Sequence, residues 1–126
     1  MVDLLITGVH GQLGRALERQ ARQRGLTVAG HDLDTLDIRD REAVAALVGT
    51  LEPRTLINCA AFTAVDACEA DEATATAVNG TAVGHLAAAC NAAGALLVQL
   101  STDYVFAGDG SRPYTEADPV APASAY

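Results

Sequence analysis

The sequence contains no lysine. Its eight basic residues are all arginine, set against sixteen acidic ones, giving a formal charge of −8 and a pI near 4.6. A broad nucleic-acid-binding face needs clustered Lys and Arg, so this balance argues against a nucleic-acid partner. Long hydrophobic runs are also missing. Charges interrupt every apolar stretch before it reaches the length of a membrane span, which points away from a membrane. The N-terminal Met1-Val2-Asp3 lacks the basic region of a signal peptide. The three cysteines, Cys59, Cys68 and Cys90, are too few and too scattered for a disulfide framework. None forms a CxxC pair, so no structural metal is expected. Small buried thiols in a reducing cytoplasm are the expectation instead.

What is present is apolar and alternating. Half of the 126 residues are hydrophobic. A chain this long suits one domain and buries roughly two-thirds of its unfolded surface. Val2 to Thr7 reads as a strand. Gln12 to Arg24 reads as a helix, with Leu13, Leu17 and Ala21 on one face and Gly25 as its stop. Leu26 to Gly30 is a second expected strand. Asp40 is placed to cap a helix carrying Val44, Leu47, Val48 and Leu51 and ended by Pro53. Thr55 to Cys59 is the third strand. A long Ala-rich helix starts at Asp71 or Glu72 and runs to about Ala93 before Gly94, and Ala95 to Leu100 is the fourth strand. Beyond Ser101, glycines and prolines break up a polar segment, and 109–126 reads as loop. Strands that are apolar on both faces and alternate with helices predict a parallel sheet between helical layers. No internal repeat is visible.

Gly8, Gly11 and Gly14 form G-x-x-G-x-x-G at the junction of the first strand and the first helix. Such a loop lets the chain turn sharply, brings backbone close to a pyrophosphate, and packs helix against strand. The N–H groups and dipole at the helix start favour the anion. A Rossmann domain often follows with an acid at the end of its second strand, about 20 residues on. Asp32, just past LTVAGH, fits that register as an acceptor for an adenosine ribose. Asp34 is its rival, and a solvated turn carboxylate remains open for both.

ITGVHGQLG, LDI at 36–38, NCAAFTAVD at 58–66, Asn79 and STDYVF at 101–106 together resemble the extended short-chain dehydrogenase/reductases. Within them the chain is most similar to the dTDP-4-dehydrorhamnose reductase family. The resemblance covers essentially the whole chain. It implies reduction of the C4 ketone of a dTDP-deoxysugar by NADPH or NADH, in dTDP-L-rhamnose synthesis. It further implies that Gln12 and Leu13 meet the pyrophosphate, Asp32 the ribose, and Asp37 with Ile38 the adenine. Ala60 and Ala61 would admit the nicotinamide side of the cofactor, with Asn79 near the active site. Thr102 matches the family's catalytic hydroxyl, and Thr63, Val65, Asp103 and Tyr104 would line the sugar pocket.

The resemblance makes Tyr126 the general acid. In the family this Tyr belongs to a Tyr-x-x-x-Lys motif, whose Lys lowers a phenol pKa that is otherwise about 10. No Lys exists here to serve. The chain is therefore expected to be the N-terminal, dinucleotide-binding part of a Rossmann-type three-layer α/β fold, residues 1–126. The catalytic helix and the sugar-binding lobe would lie outside it. Tyr126 is expected on a frayed terminus, with the fourth or a neighbouring strand presenting an open edge. A homodimer is implied for the full-length protein. Other readings are a different sugar-nucleotide reductase or epimerase, and a non-catalytic subunit like the regulatory subunit of methionine adenosyltransferase. A cofactor-free interaction module is a third.

Overall fold

The computed structural model describes residues 1–126. Four strands form one parallel sheet: β1 (Val2–Thr7), β2 (Val28–His31), β3 (Pro53–Asn58) and β4 (Leu96–Gln99), in spatial order β2-β1-β3-β4. Helix α1 (Gln12–Gln23) covers one face and α2 (Arg41–Leu51) the other. After β3 the chain forms α3 (Val65–Ala70), α4 (Glu72–Thr76), a π-helical turn (Ala77–Thr81) and α5 (Ala82–Ala93). This is the expected layered α/β architecture.

The two faces of β1 explain the layers. Leu4 and Ile6 join Val9 and Ala21 in a small core under α1. Leu5, pointing the other way, joins Leu56, Val44, Val48 and Leu86 in the larger core under α2 and α5. A strand buried on both faces belongs at the centre of a parallel sheet.

Helix boundaries follow local chemistry. The Asp40 carboxylate accepts hydrogen bonds from the Glu42 and Ala43 N–H groups, each at 3.0 Å, and starts α2 as expected. The helix stops at Glu52, which takes a left-handed φ of +44°. Pro53 is already the first residue of β3, paired with Val2, so this strand begins two residues earlier than Thr55 and ends at Asn58 rather than Cys59. β2 starts later than Leu26. The Leu26 N–H bonds the Ala21 carbonyl at the end of α1, and Thr27 is tied to the Asp3 carboxylate, so both belong to the turn. β4 is two residues shorter than expected.

Two features escaped the helical periodicity. Val65–Ala70 forms a separate short helix, α3. The Ala-rich run capped by Asp71 is interrupted, because Ala77–Thr81 widens into a π-helical turn between α4 and α5. A π turn inserts one extra residue, which a count of apolar spacings does not register.

The open edge is found at β4. Leu96 is 62 % exposed, and Val98 and Leu100 are also uncovered. The C-terminal segment has no regular element beyond a 3-10 turn at Asp103–Val105, yet Tyr126 is not frayed. The Ala125 N–H donates to Glu69 Oε1 at 2.7 Å, the Tyr126 ring meets Tyr104 edge-on at 5.6 Å, and Tyr126 is half-buried. These contacts to α3 and to the end of the sheet hold in place a segment whose polar, aperiodic sequence gave no sign of them.

Glycines in two helices separate packing from propensity. A Cβ on Gly14 would lie 2.7 Å from Val9 Cα and closer still to the Gly8 carbonyl, whereas one on Gly49 meets nothing within 4 Å. Gly49→Ala is expected to raise stability by about 0.5–1 kcal/mol. Gly14→Ala is expected to lower it by about 1–3 kcal/mol. Urea midpoints of the two variants check this, and the opposite order would refute the packing of α1 on the loop.

Candidate functional site

β1 and β3 are neighbours, and the chain leaves them in opposite directions. The loop after β1 runs to α1 on one face, and the segment after β3 leads through α3 and α4 to α5 on the other. Such a divergence opens a crevice beyond the carboxyl ends of the strands. The two loops touch at its base. Gly8 has a φ of +71°, and a Cβ there would sit 2.5 Å from Ala60 N and 2.7 Å from Ala60 Cα. Only glycine fits that contact.

Below the crevice, strand register lines up polar residues. Thr7 pairs with Asn58, and Asn58 with Gln99. The Thr7 hydroxyl donates to Asn58 Oδ1 at 2.6 Å, and Asn58 Nδ2 donates to Gln99 Oε1 at 2.8 Å. Asn58 Oδ1 also accepts the Ala60 N–H at 3.1 Å, fixing the start of the second loop. Thr7 and Asn58 are both about 1 % exposed. This polar row is not anticipated in the sequence analysis. The signal was present, since four registered strand ends carry Thr, His, Asn and Gln, but register is invisible without the sheet.

The crevice holds a cleft of about 510 Å³. Of the expected residues, Gly8, Gly11, Asp32, Asp37, Ile38, Ala60 and Ala61 line it, and so do His10, Arg39, Cys59 and Phe62. Gln12, Leu13 and Gly14 form the first turn of α1. Their backbone N–H groups have no partner within the protein, and no acidic side chain stands in that turn. Gly11, unlike Gly8 and Gly14, meets only the Gly8 carbonyl at 3.3 Å when given a Cβ, and its φ of −71° suits any residue.

Asn79 does not line the cleft. It sits in the π turn, where its Oδ1 accepts the Phe62 N–H at 2.8 Å and its Nδ2 donates to the Phe62 carbonyl at 2.9 Å. Its side chain therefore clasps the Ala60–Phe62 loop from behind. Thr63 and Val65 lead into α3. Thr102 caps the 3-10 turn, accepting the Tyr104 N–H at 3.2 Å, and its hydroxyl lies 3.3 Å from Asp103 Oδ1. Thr102, Asp103, Tyr104 and Tyr126 thus form a second group beyond the end of β4, outside the cleft lining.

The acids of the cleft are already engaged. Asp32 Oδ2 accepts the His10 N–H at 2.8 Å, and Oδ1 accepts the Leu33 N–H at 2.9 Å, so this carboxylate ties β2 to the glycine loop. Partial burial works to raise its pKa, but the Leu33 and His10 N–H groups and the His10 ring hold it below the ordinary carboxylate range. Asp34 lacks those backbone bonds, and its nearest basic atom is His10 Nδ1 at 4.0 Å. Asp37 is lowered chiefly by the Arg39 guanidinium bonded to it. The three thiols are free, and desolvation is the main cause raising their pKa values. No helix is long and apolar enough to cross a membrane.

The parallel order, the divergence of β1 and β3 and the glycine loop define a Rossmann-type domain of the short-chain dehydrogenase/reductase kind. Residues 2–126 match the family model described as the RmlD substrate binding domain, and the chain belongs to that family. A dTDP-4-dehydrorhamnose reductase of Streptomyces griseus is 49 % identical over 122 residues, 97 % of this chain and 40 % of that protein. A solved dTDP-4-dehydrorhamnose reductase of Clostridium acetobutylicum superposes with a TM-score of 0.95 at 45 % identity, covering 98 % of this chain and 44 % of the other. One from Bacillus anthracis, solved in complex with NADP, gives 0.94 at 35 % identity over all of this chain and 45 % of the other. The chain therefore spans less than half the length of these relatives.

Asp32 yields a test of its own bonds. With its folded pKa below the unfolded one, its contribution to stability is complete above about pH 4 and fades as pH falls through the folded value. Asp32→Asn is expected to be less stable than the parent chain at pH 7, with the gap closing on acidification. Urea titrations at pH 7 and at about pH 3 measure it. A gap that persists or widens in acid would show that the carboxylate charge is not what holds the loop.

Proposed function

We propose that residues 1–126 form the dinucleotide-binding part of a reductase acting on the C4 ketone of a dTDP-linked deoxysugar, with NADPH or NADH as reductant. The observation that carries this reading is the start of α1. Three unpartnered N–H groups at the start of the helix directly follow Gly11, which lines the cleft and whose added Cβ would meet only the Gly8 carbonyl, at 3.3 Å. A pyrophosphate supplies the acceptors these donors lack. Asp32 offers free lone pairs to ribose hydroxyls, and Asp37 and Ile38 flank the adenine. Ala60 and Ala61 leave room on the nicotinamide side, where Asn79 supports their loop through Phe62.

The bound cofactor supplies the hydride. The chain's own residues handle the ketone oxygen. The Thr102 hydroxyl hydrogen-bonds that oxygen as charge develops on it. Tyr126 donates a proton to the resulting alkoxide, with Tyr104 against its ring and Glu69 holding the preceding residue. Thr63, Val65, Asp103 and Tyr104 face the sugar. Relatives named dTDP-4-dehydrorhamnose reductase, and one of them solved with NADP, support this assignment.

Gly11→Val tests the phosphate cradle. The valine fits the backbone of position 11, so the urea midpoint is expected to stay within about 0.5 kcal/mol of the parent. Affinity for NADPH, read by calorimetry, is expected to fall at least about tenfold. Unchanged affinity would remove the glycine loop from the binding site.

Turnover tests the proton donor. The 126 residues contain no lysine to set beside Tyr126. Mixed with dTDP-4-dehydrorhamnose and NADPH or NADH, this chain alone is expected to oxidise the cofactor far more slowly than a full-length relative. Comparable rates of absorbance loss would show that Tyr126 is not the acid.

A further inference from the structure

Beside the Cys59 thiol, the cleft is lined by two carboxylates, an imidazole and a guanidinium: Asp32, Asp37, His10 and Arg39. Arg39 is the only arginine among them, and lysine is absent from the chain. It is therefore the one permanent cation in the cleft lining. The structure shows where that cation is spent. Arg39 Nε donates to Asp37 Oδ1 at 2.9 Å and to Oδ2 at 3.0 Å, and its Nη2 donates to Oδ2 at 2.6 Å. The Arg39 backbone N–H adds a bond to Oδ1 at 3.0 Å. The Asp37 carbonyl in turn accepts the Asp40 N–H at 3.0 Å, next to the cap of α2. Both residues are thus held by backbone as well as by each other.

We propose that Asp37 is a specificity-positioning residue. It latches Arg39 away from the ribose, so that the cleft prefers dinucleotides with a free 2′-hydroxyl over 2′-phosphorylated ones. This rests on the cofactor reading above and adds a direction to it. A 2′-phosphate arrives with about −1.5 to −2 charges at neutral pH. It meets the Asp32 carboxylate, which repels it, and it must draw Arg39 off a pre-formed carboxylate pair on the guanidinium's Nε edge. The His10 ring is already near two carboxylates, its Nδ1 standing 3.8 Å from Asp32 and 4.0 Å from Asp34. A 2′-hydroxyl makes no such demand. It donates to Asp32 and leaves the latch closed.

ADP-ribose and 2′-phospho-ADP-ribose are the probes, since they carry only the cofactor half that these residues face. Calorimetry on the full 126-residue chain is expected to show tighter binding of ADP-ribose. Asp37→Asn keeps the side-chain shape and removes the charge that holds Arg39. It is expected to shift the affinity ratio toward the 2′-phosphorylated probe by at least about threefold. Adding Arg39→Ala to Asp37→Asn should cancel the shift, which a general loosening of the adenine pocket would not do. A parent chain that prefers the phosphorylated probe, or a ratio that Asp37→Asn leaves unmoved, would overturn the latch and leave the cofactor reading standing. Failure of both probes to bind the folded parent chain would overturn the cofactor reading, and the latch with it.

Discussion

The contact between Gly8 and the backbone of Ala60 governs the site. Two loops that diverge to opposite faces of the sheet must first pass within a Cβ's width of each other. That approach sets the floor of the cleft and the direction in which α1 leaves it. It also explains why the polar row lies where it does. With the loops pressed together, the Ala60 N–H is taken from water and finds its acceptor in Asn58 Oδ1, which the Thr7 hydroxyl shares. Asn58 in turn reaches Gln99, so the ends of β1, β3 and β4 are cross-linked beneath the crevice. Removing Asn58 would strand the buried Thr7 hydroxyl and the half-buried Ala60 N–H together.

A second set of bonds fixes the rim. Asp32 joins the end of β2 to His10, Arg39 closes on Asp37, and Asn79 grips Phe62 from the helical side. The rim is therefore held by bonds within the protein itself. Pre-organised donors at a helix start are what a pyrophosphate needs. The group around Thr102 and Tyr126 is arranged differently, through ring packing and one bond to Glu69.

Much of this was legible in the sequence because it is local. The glycine spacing located the loop, Asp40 and Asp71 marked helix starts, and the apolar runs marked four strands, though not their order in the sheet. Asp32 fits the register of the acid after the second strand, and it is Asp32 that reaches the glycine loop. What stayed hidden depends on residues distant in the chain. Pairing of Thr7 with Asn58 and Gln99 requires the sheet, and the clasp of Asn79 on Phe62 requires the fold of the 62–79 segment. The docking of the final residues was missed for the same reason. Glu69 lies 56 positions before its partner, Ala125.

The π turn at Ala77–Thr81 gives the helical run a fixed length. Residues before it present Ala75 to the core, and residues after it present Ala82, Leu86 and Ala89, while Asn79 faces Phe62 in between. One surplus residue reconciles these demands. Deleting a single residue there would restore an unbroken α-helix but rotate one half against the other by about 100°. Either Leu86 would leave the core or Asn79 would leave the loop. Substitutions on the outer surface of this stretch are then tolerable where a change in its length is not.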